Sequence, residues 1–359
     1  MTAAPADRPT DRLEHVDLLR AAWHDYGDPR SLSTVTELSA MVSTNRVFRV
    51  ELDDGSHVVA KMSSYGSYFL FLEDHDRIHR CAALLRPTRF GGFLADVLER
   101  DGRAYSYYDG TTWCVFYTEV ERRDQLPRVL SDRQVDNFGE EIAAFHRQCA
   151  DLAGQIPLTS KSIKSDAIHL LDLLSNAHSA AQFGLPVGDL DVLRRHTHEF
   201  LERLEELRYD YWPKQPVLID WNLGNFSVEF EPDGERFRLF SRWDYDWFRI
   251  EPRLLDFYFL SRASSRTGDR TQFTYLPHTL TEPRFLRFLR AYHRVFPLTE
   301  VDLLFCKEVF RFFVLNYVVR EGDAFFRPEY GVQLRRDAVH SGLPAVDRLD
   351  LRPLLAVIA

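Results

Sequence analysis

A chain of 359 residues is long enough to bury a large core and to form two lobes. Its formal net charge of -9, with a pI near 5.8, disfavours a polyanionic partner, because nucleic-acid binding depends on Lys and Arg meeting phosphates. Cys81, Cys114, Cys149 and Cys306 stand apart with no Cys-x-x-Cys pair, which argues against a disulfide framework or a thiolate zinc site and suits a reducing, cytoplasmic setting.

The start, Met1 to Arg12, is rich in Ala, Pro and Asp without an apolar run, so it is expected to be a flexible tail and not an export signal. Val35 to Met41 reads as a strand, and Val47 to Leu52, the turn Asp53-Asp54-Gly55 and His57 to Met62 read as a hairpin. This hairpin carries Lys61 at the end of an apolar run, in a chain whose other lysines are only Lys161, Lys164, Lys214 and Lys307. Asp74 to Leu85 is expected to be a helix, and Arg103 to Tyr108 and Trp113 to Val120 to be strands around Asp109-Gly110. At Glu119-Val120-Glu121-Arg122-Arg123 the composition turns charged, which is where a hinge would fall; the expected units are 1–119 and 120–359.

Beyond the hinge, Val135, Phe138, Ile142, Phe145 and Cys149 recur at helical spacing, as do Phe285, Phe288, Leu289, Tyr292 and Phe296, and both stripes read as core. Glu199, Glu202, Glu205, Glu206 and Asp210 could attract a cationic ligand, but with Arg203 and Arg208 at helical spacing they read first as a solvated face. Val309 to Val319 is interrupted by Arg311 and Asn316 and falls short of a bilayer span of about 20 residues, so no membrane association is expected.

The chemistry concentrates in Val217 to Asn225 and Arg242 to Asp246. An aspartate ending an apolar run (Asp220), an asparagine five positions later (Asn225) and a second aspartate (Asp244) are the parts phosphoryl transfer requires. Asp220 would position the attacking hydroxyl. Asn225 and Asp244 would hold Mg²⁺, which usually takes one or two carboxylates with phosphates and waters. Gly224 allows the sharp turn between the first two, and the expected hairpin of Phe226 to Phe230, Glu231-Pro232-Asp233-Gly234 and Phe237 to Trp243 returns Asp244 beside Asn225. Taken singly, Asp220 and Asn225 could equally be turn residues.

The order of these parts resembles the aminoglycoside phosphotransferase and choline kinase superfamily of small-molecule kinases, over about Val35 to Ser261. The resemblance implies an α+β, protein-kinase-like bilobal fold, with a small antiparallel-sheet N-terminal lobe and a larger, mainly helical C-terminal lobe. It implies ATP and Mg²⁺ as cofactors and a small hydroxylated molecule as substrate. Lys61, on the third strand, would contact the nucleotide phosphates, with Glu73 on the following helix as its carboxylate partner and Asp74 or Asp76 as alternatives. Met41 to Asn45 would be the nucleotide loop, with Ser43, Thr44 and Asn45 as phosphate donors, though a polar hairpin turn reads the same way. Glu119 and Val120 would meet adenine through their main chains. Asp256 in Arg253-Leu254-Leu255-Asp256-Phe257 would brace the catalytic loop, and Ile142-Ala143-Ala144-Phe145-His146 echoes the family's Leu-Ala-x-Leu-His helix.

The sequence departs from the family's His-Gly-Asp loop by placing Leu218 and Ile219 before Asp220 and Asn222 where histidine is common, and its nucleotide loop has no glycine. Two other readings follow from these residues: a catalytically silent nucleotide-binding protein, and a glycoside hydrolase using Asp220 and Asp244 as its carboxylate pair. The hydrolase leaves Lys61 and Asn225 without a role.

Overall fold

The computed structural model describes residues 9–39, 45–267, 276–326 and 328–359. The chain falls into two compact units, divided between Glu121 and Arg122.

The first unit is a five-stranded sheet with a helix on each face. The strands are β1 (Leu32–Glu37), β2 (Arg46–Leu52), β3 (His57–Ser63), β6 (Tyr107–Tyr108) and β7 (Trp113–Thr118), in the antiparallel order β1-β2-β3-β7-β6. A short ladder of β4 (Glu99–Arg100) and β5 (Arg103–Ala104) stands apart, so the single strand expected over Arg103 to Tyr108 is broken in two. Helix α1 (Pro9–Tyr26) takes in the last four residues of the expected tail, and its Leu19, Ala22 and Trp23 pack on Val58, Ala60, Met62, Cys114 and Phe116. Helix α2 (Tyr68–Leu85) covers the opposite face and begins six residues before the expected Asp74. Its first turns are built from Tyr68, Phe69 and Phe71, which carry no helical periodicity of their own. Contacts such as Phe71 on Trp113, with ring centroids 6.1 Å apart, hold them.

The second unit is mainly helical: α3 (Asp132–Leu152), α4 (Ile163–Ser175), α5 (Ser179–Phe183), α6 (Val187–Glu206), α7 (Phe257–Ala263), α8 (Pro283–Val295) and α9 (Glu300–Phe313), the last continuing into a π-helical turn at Val314–Arg320. A capping box between Ser131 and Gln134 starts α3. Both expected aromatic stripes meet in the core where α3 packs on α8, with Phe138, Phe285, Phe288 and Tyr292 fully buried. Gly139 makes that approach possible, since a Cβ there would lie 2.6 Å from the Phe288 carbonyl oxygen.

Shorter helical segments follow to the C-terminal end, and the unit also holds two small antiparallel ladders. Strand β8 (Gln215–Val217) pairs with β11 (Arg249–Glu251), and β9 (Phe226–Phe230) pairs with β10 (Phe237–Arg242). The first ladder carries the entry to the Asp220 loop, and the second carries its exit.

Candidate functional site

In the first unit, Lys61 sits on β3 with only 6% of its surface exposed. Cross-strand pairing places it opposite Val115, in register with the pairs Val59 and Tyr117 and Ser63 and Trp113. Paired residues share a face of a sheet, so Lys61 lies on the α2 side, where Phe71 meets Trp113 and His75 meets Tyr117. Among the α2 carboxylates, Glu73 pairs with Arg77 at 2.6 Å and Asp76 accepts from the Ala104 amide at 3.2 Å. Glu119 follows β7, and its side chain binds Arg49 at 2.6 Å; Val120 is half-buried beside it. Asn45 stands immediately before β2, while Ser43 and Thr44 lie outside the described residues.

In the second unit, the loop after β8 is held from within by one buried carboxylate. Asp256 Oδ1 accepts from the Ile219 amide at 2.7 Å, and Oδ2 accepts from Trp221 Nε1 at 2.6 Å. His146 Nε2 lies 2.8 Å from the same Oδ2, and its Nδ1 lies 2.8 Å from the Tyr292 hydroxyl. Asp256, His146, Trp221 and Tyr292 are all fully buried, so Tyr292, His146, Asp256 and the loop form one internal network, which Arg253 joins at Tyr292. Burial pushes the Tyr292 phenol well above its ordinary range and keeps it a neutral hydroxyl.

Sequence reasoning assigned Tyr292 to an apolar stripe and gave His146 no role of its own. The usable signal was their polar atoms, because a buried Tyr or His normally finds a hydrogen-bond partner.

Ile219, fully buried, adopts φ 59, the left-handed region where a glycine is at ease and a β-branched residue is strained. The Asp256 bond to its amide helps hold that conformation. Arg242, also fully buried, donates from Nη2 to the Asp220 carbonyl at 2.7 Å, with its guanidinium carbon 5.3 Å from the Trp221 ring centre. The backbone on both sides of Asp220 is therefore held, while the Asp220 side chain is half-buried and accepts from the Asn222 amide at 3.1 Å.

The hairpin supplies the second carboxylate. Arg242 pairs with Phe226, and one residue further on the Trp243 amide donates to the Asn225 carbonyl at 3.2 Å. Asn225 and Asp244 thus flank the open end of the same ladder, both half-buried. Beyond Arg242 the strand stops. Asp244 Oδ1 accepts from the Asp246 amide at 3.2 Å, and the chain turns at Asp246 and Trp247. Two oxygen side chains on neighbouring backbone form a hard donor set of the kind a divalent cation with phosphate ligands takes. An opening of about 290 Å³ beside the loop is lined by Gln125, Leu126, Arg128, Leu223 and Gly224.

The acidic run of α6 is paired, but only partly as expected. Arg203 binds Glu206, whereas Arg208 lies 4.9 Å from the Tyr211 ring centre, and Lys164 holds Glu205 at 2.6 Å and Asp210 at 2.7 Å. The chain leaves α6 at Leu207, and Arg208 takes a left-handed φ of 57, which carries it off the helix face. Among the described residues, His196, Glu199 and Asp347 form the single three-residue group spaced for a metal ion. Arg311 binds Glu199 at 3.3 Å and Asp347 at 3.0 Å, and Arg195 binds Glu199 at 2.8 Å, so arginines already neutralise both carboxylates. All four cysteines are free and buried, and no helix among the described residues is long and apolar enough to cross a membrane.

No protein-family model and no curated protein matches this sequence. Solved structures match over nearly the whole chain. The amicoumacin kinase hAmiN, in complex with AMP-PNP, Ca²⁺ and Ami, is similar with a TM-score of 0.64 at 15% identity, covering 95% of this chain and 97% of its own. A microcompartment-associated aminopropanol kinase is similar with a TM-score of 0.59 at 14% identity, covering 96% and 98%. A macrolide 2'-phosphotransferase type I is similar with a TM-score of 0.54 at 14% identity, covering 95% and 100%. At these identities the likeness is one of fold: the chain has the fold of the small-molecule kinases, with the antiparallel sheet and mainly helical part expected from its sequence.

Proposed function

We propose that this protein is an ATP- and Mg²⁺-dependent phosphotransferase that moves the γ-phosphoryl group to a hydroxyl of a small molecule. The observation that carries the reading is the Trp243 amide bond to the Asn225 carbonyl. It sets Asn225 and Asp244 at one ladder end, while the Asp256 network holds the loop bearing Asp220. Phosphoryl transfer needs little from a protein beyond such positioned oxygens and electrostatic stabilisation. In this reading Asp220 orients the acceptor hydroxyl and takes its proton, and Asn225 and Asp244 hold Mg²⁺, which supplies charge neutralisation at the phosphates when bound. Lys61, in a unit spanning about 1–119, contacts the nucleotide phosphates with Glu73 as its carboxylate partner. Ser43, Thr44 and Asn45 form the nucleotide loop, and Glu119 and Val120 meet adenine through the main chain. The region from about 120 to 359 carries the chemistry and the acceptor.

Two measurements test this. ATP should raise the melting temperature with Mg²⁺ far more than with chelator, because a ligand that binds only the folded state stabilises it. Asp220→Asn should lower turnover by about 10²- to 10⁴-fold, the range of a general base, with Mg·ATP stabilisation retained. A melting curve unmoved by millimolar Mg·ATP would remove the kinase reading. Mg·ATP binding without turnover across a broad panel of hydroxylated acceptors would support a silent nucleotide-binding protein instead.

A further inference from the structure

Asp220 and Asn225 stand at the two ends of one loop, and consecutive residues of the hairpin strand β10 and its end hold them. The Arg242 side chain donates from Nη2 to the Asp220 carbonyl at 2.7 Å, and the Trp243 amide donates to the Asn225 carbonyl at 3.2 Å. Arg242 serves the turn bearing Asp244 as well. Its own carbonyl accepts from the Tyr245 hydroxyl at 2.5 Å, and Tyr245 directly follows Asp244. In the ladder it pairs with Phe226, the residue after Asn225. Through its side chain, its carbonyl and its ladder position, Arg242 therefore meets the segments that bear Asp220, Asn225 and Asp244.

The loop needs such a hold. The Asp220 amide donates to the Leu218 carbonyl at 2.7 Å across Ile219, whose positive φ makes this a γ-turn of the rare, strained hand. Asp256 restrains that turn at the Ile219 amide, and Arg242 restrains it on the other side, at the Asp220 carbonyl. Arg242 does so at a cost. It is fully buried, yet its Nε and Nη1 have no hydrogen-bond partner and no carboxylate forms an ion pair with it among the described residues. Both contacts of its guanidinium, the Asp220 carbonyl and the Trp221 ring, lie on the loop. A methionine in the same space would bury no charge and leave no donor unsatisfied.

We infer that Arg242 is a positioning residue of the transfer step: it acts through Asp220, fixing the separation between that carboxylate and the metal pair Asn225 and Asp244, and the fold itself does not need its charge. The inference rests on the phosphotransferase reading for the step it serves, whereas the clamp on the loop stands on the geometry alone. An apolar residue at this position would pack at less cost but leave the Asp220 carbonyl unheld. A displacement of about 1 Å at a reacting group can cost about 10²-fold in rate, so one such bond matters far more to turnover than to stability.

The test compares Arg242→Met and Arg242→Lys in the full chain by thermal melting, by amide hydrogen exchange read on peptides, and by ADP release from Mg·ATP with water and with a panel of sugars and amino alcohols as acceptors. In Arg242→Met the melting temperature should equal or exceed the parent's, and its rise with Mg·ATP should persist. Exchange of the amides from Trp221 to Asn225 should quicken about tenfold, with α3 unchanged. ADP release should slow about 10- to 100-fold at unchanged KM for Mg·ATP, and Arg242→Lys, which keeps a charged donor, should recover part of the loss. Added to Asp220→Asn, Arg242→Met should slow release by less than about twofold more, because a residue that acts through Asp220 has nothing left to act on. A melting temperature well below the parent's, or failure to fold, assigns the charge to the core and overturns the proposal. Unchanged exchange, an unchanged rate, or the full further loss in the double variant overturns it equally. Quickened exchange in a protein that neither releases ADP nor is stabilised by Mg·ATP would retain the clamp and remove both the positioning role and the phosphotransferase reading; turnover with unchanged exchange would keep that reading and remove Arg242 from it.

Discussion

Asp256 and Asp166 are both buried carboxylates of the Arg122–Ala359 unit, but the groups around them differ in kind. Asp256 is surrounded by a backbone amide, an indole and an imidazole. Asp166 is gripped by two guanidinium groups. The first arrangement fixes directions, because each donor has one geometry that satisfies it, and it shapes the backbone on either side of Ile219. The second fixes charge, because burying Arg249 and Arg320 requires a counter-ion, and the chain of ions then continues through Glu321 to Lys161. One network serves the precision of a loop, and the other supplies counter-charge to buried cations.

The sharpest way to break this contrast is at Asp166. Asp166→Asn keeps the shape and leaves two buried guanidinium groups without their anion, so unfolding stability should drop by about 3–5 kcal/mol in denaturant titration. A cost below about 1 kcal/mol would show that water or Glu321 compensates and that the ion chain is not structural. Burial alone would raise the Asp166 carboxyl, but Arg249, Lys161 and Arg320 outweigh it and hold the pKa below the ordinary range. Its stabilisation is therefore complete at neutral pH, and it is lost as pH falls through the depressed value.

Asp256→Asn should cost somewhat less, about 2–4 kcal/mol, because an amide can satisfy some of the donors but leaves at least one buried and unpaired. It should also reduce turnover, which separates it from Asp166→Asn if the two networks have the different tasks described. Equal loss of stability with no change in rate would mean that Asp256 supports the core and not the loop.

A smaller effect is expected at His196, outside both networks. Burial lowers its pKa to about 4, with Asp347 and Glu199 opposing and Arg195 and Arg311 assisting, so the folded protein holds it neutral. Its contribution is present above the unfolded value near 6.5 and is lost as pH falls from there toward 4. Melting temperature should decline over that window by an amount equivalent to about 1–3 kcal/mol, and His196→Gln should flatten the decline. An unaltered pH profile in the variant would assign the acid sensitivity to the carboxylates around it.

How much of this was legible beforehand varies with the distance over which each feature is specified. The Phe226 to Arg242 hairpin, the third-strand position of Lys61 and the aromatic stripes of α3 and α8 follow from local patterns of alternation, turn residues and helical spacing. The same holds for the expectation of a kinase-like α+β fold, since its diagnostic residues lie within short segments in a set order. The start of α2 did not follow. Its aromatic run has no periodicity, and contacts with β7 make it helical.

The polar interior was decided by tertiary structure alone. His146 and Asp256 are 110 positions apart, Asp166 and Arg320 are 154 apart, and the bonds between them depend on helices packing at one orientation. Ile219 makes the same point at a single residue. Its side chain argues against a left-handed backbone, and the conformation exists where a buried carboxylate takes its amide. A sequence specifies which donors and acceptors are available through local chemistry. Which of them meet is settled when the core closes, because burial makes an unpaired polar group costly and leaves few arrangements that satisfy them all.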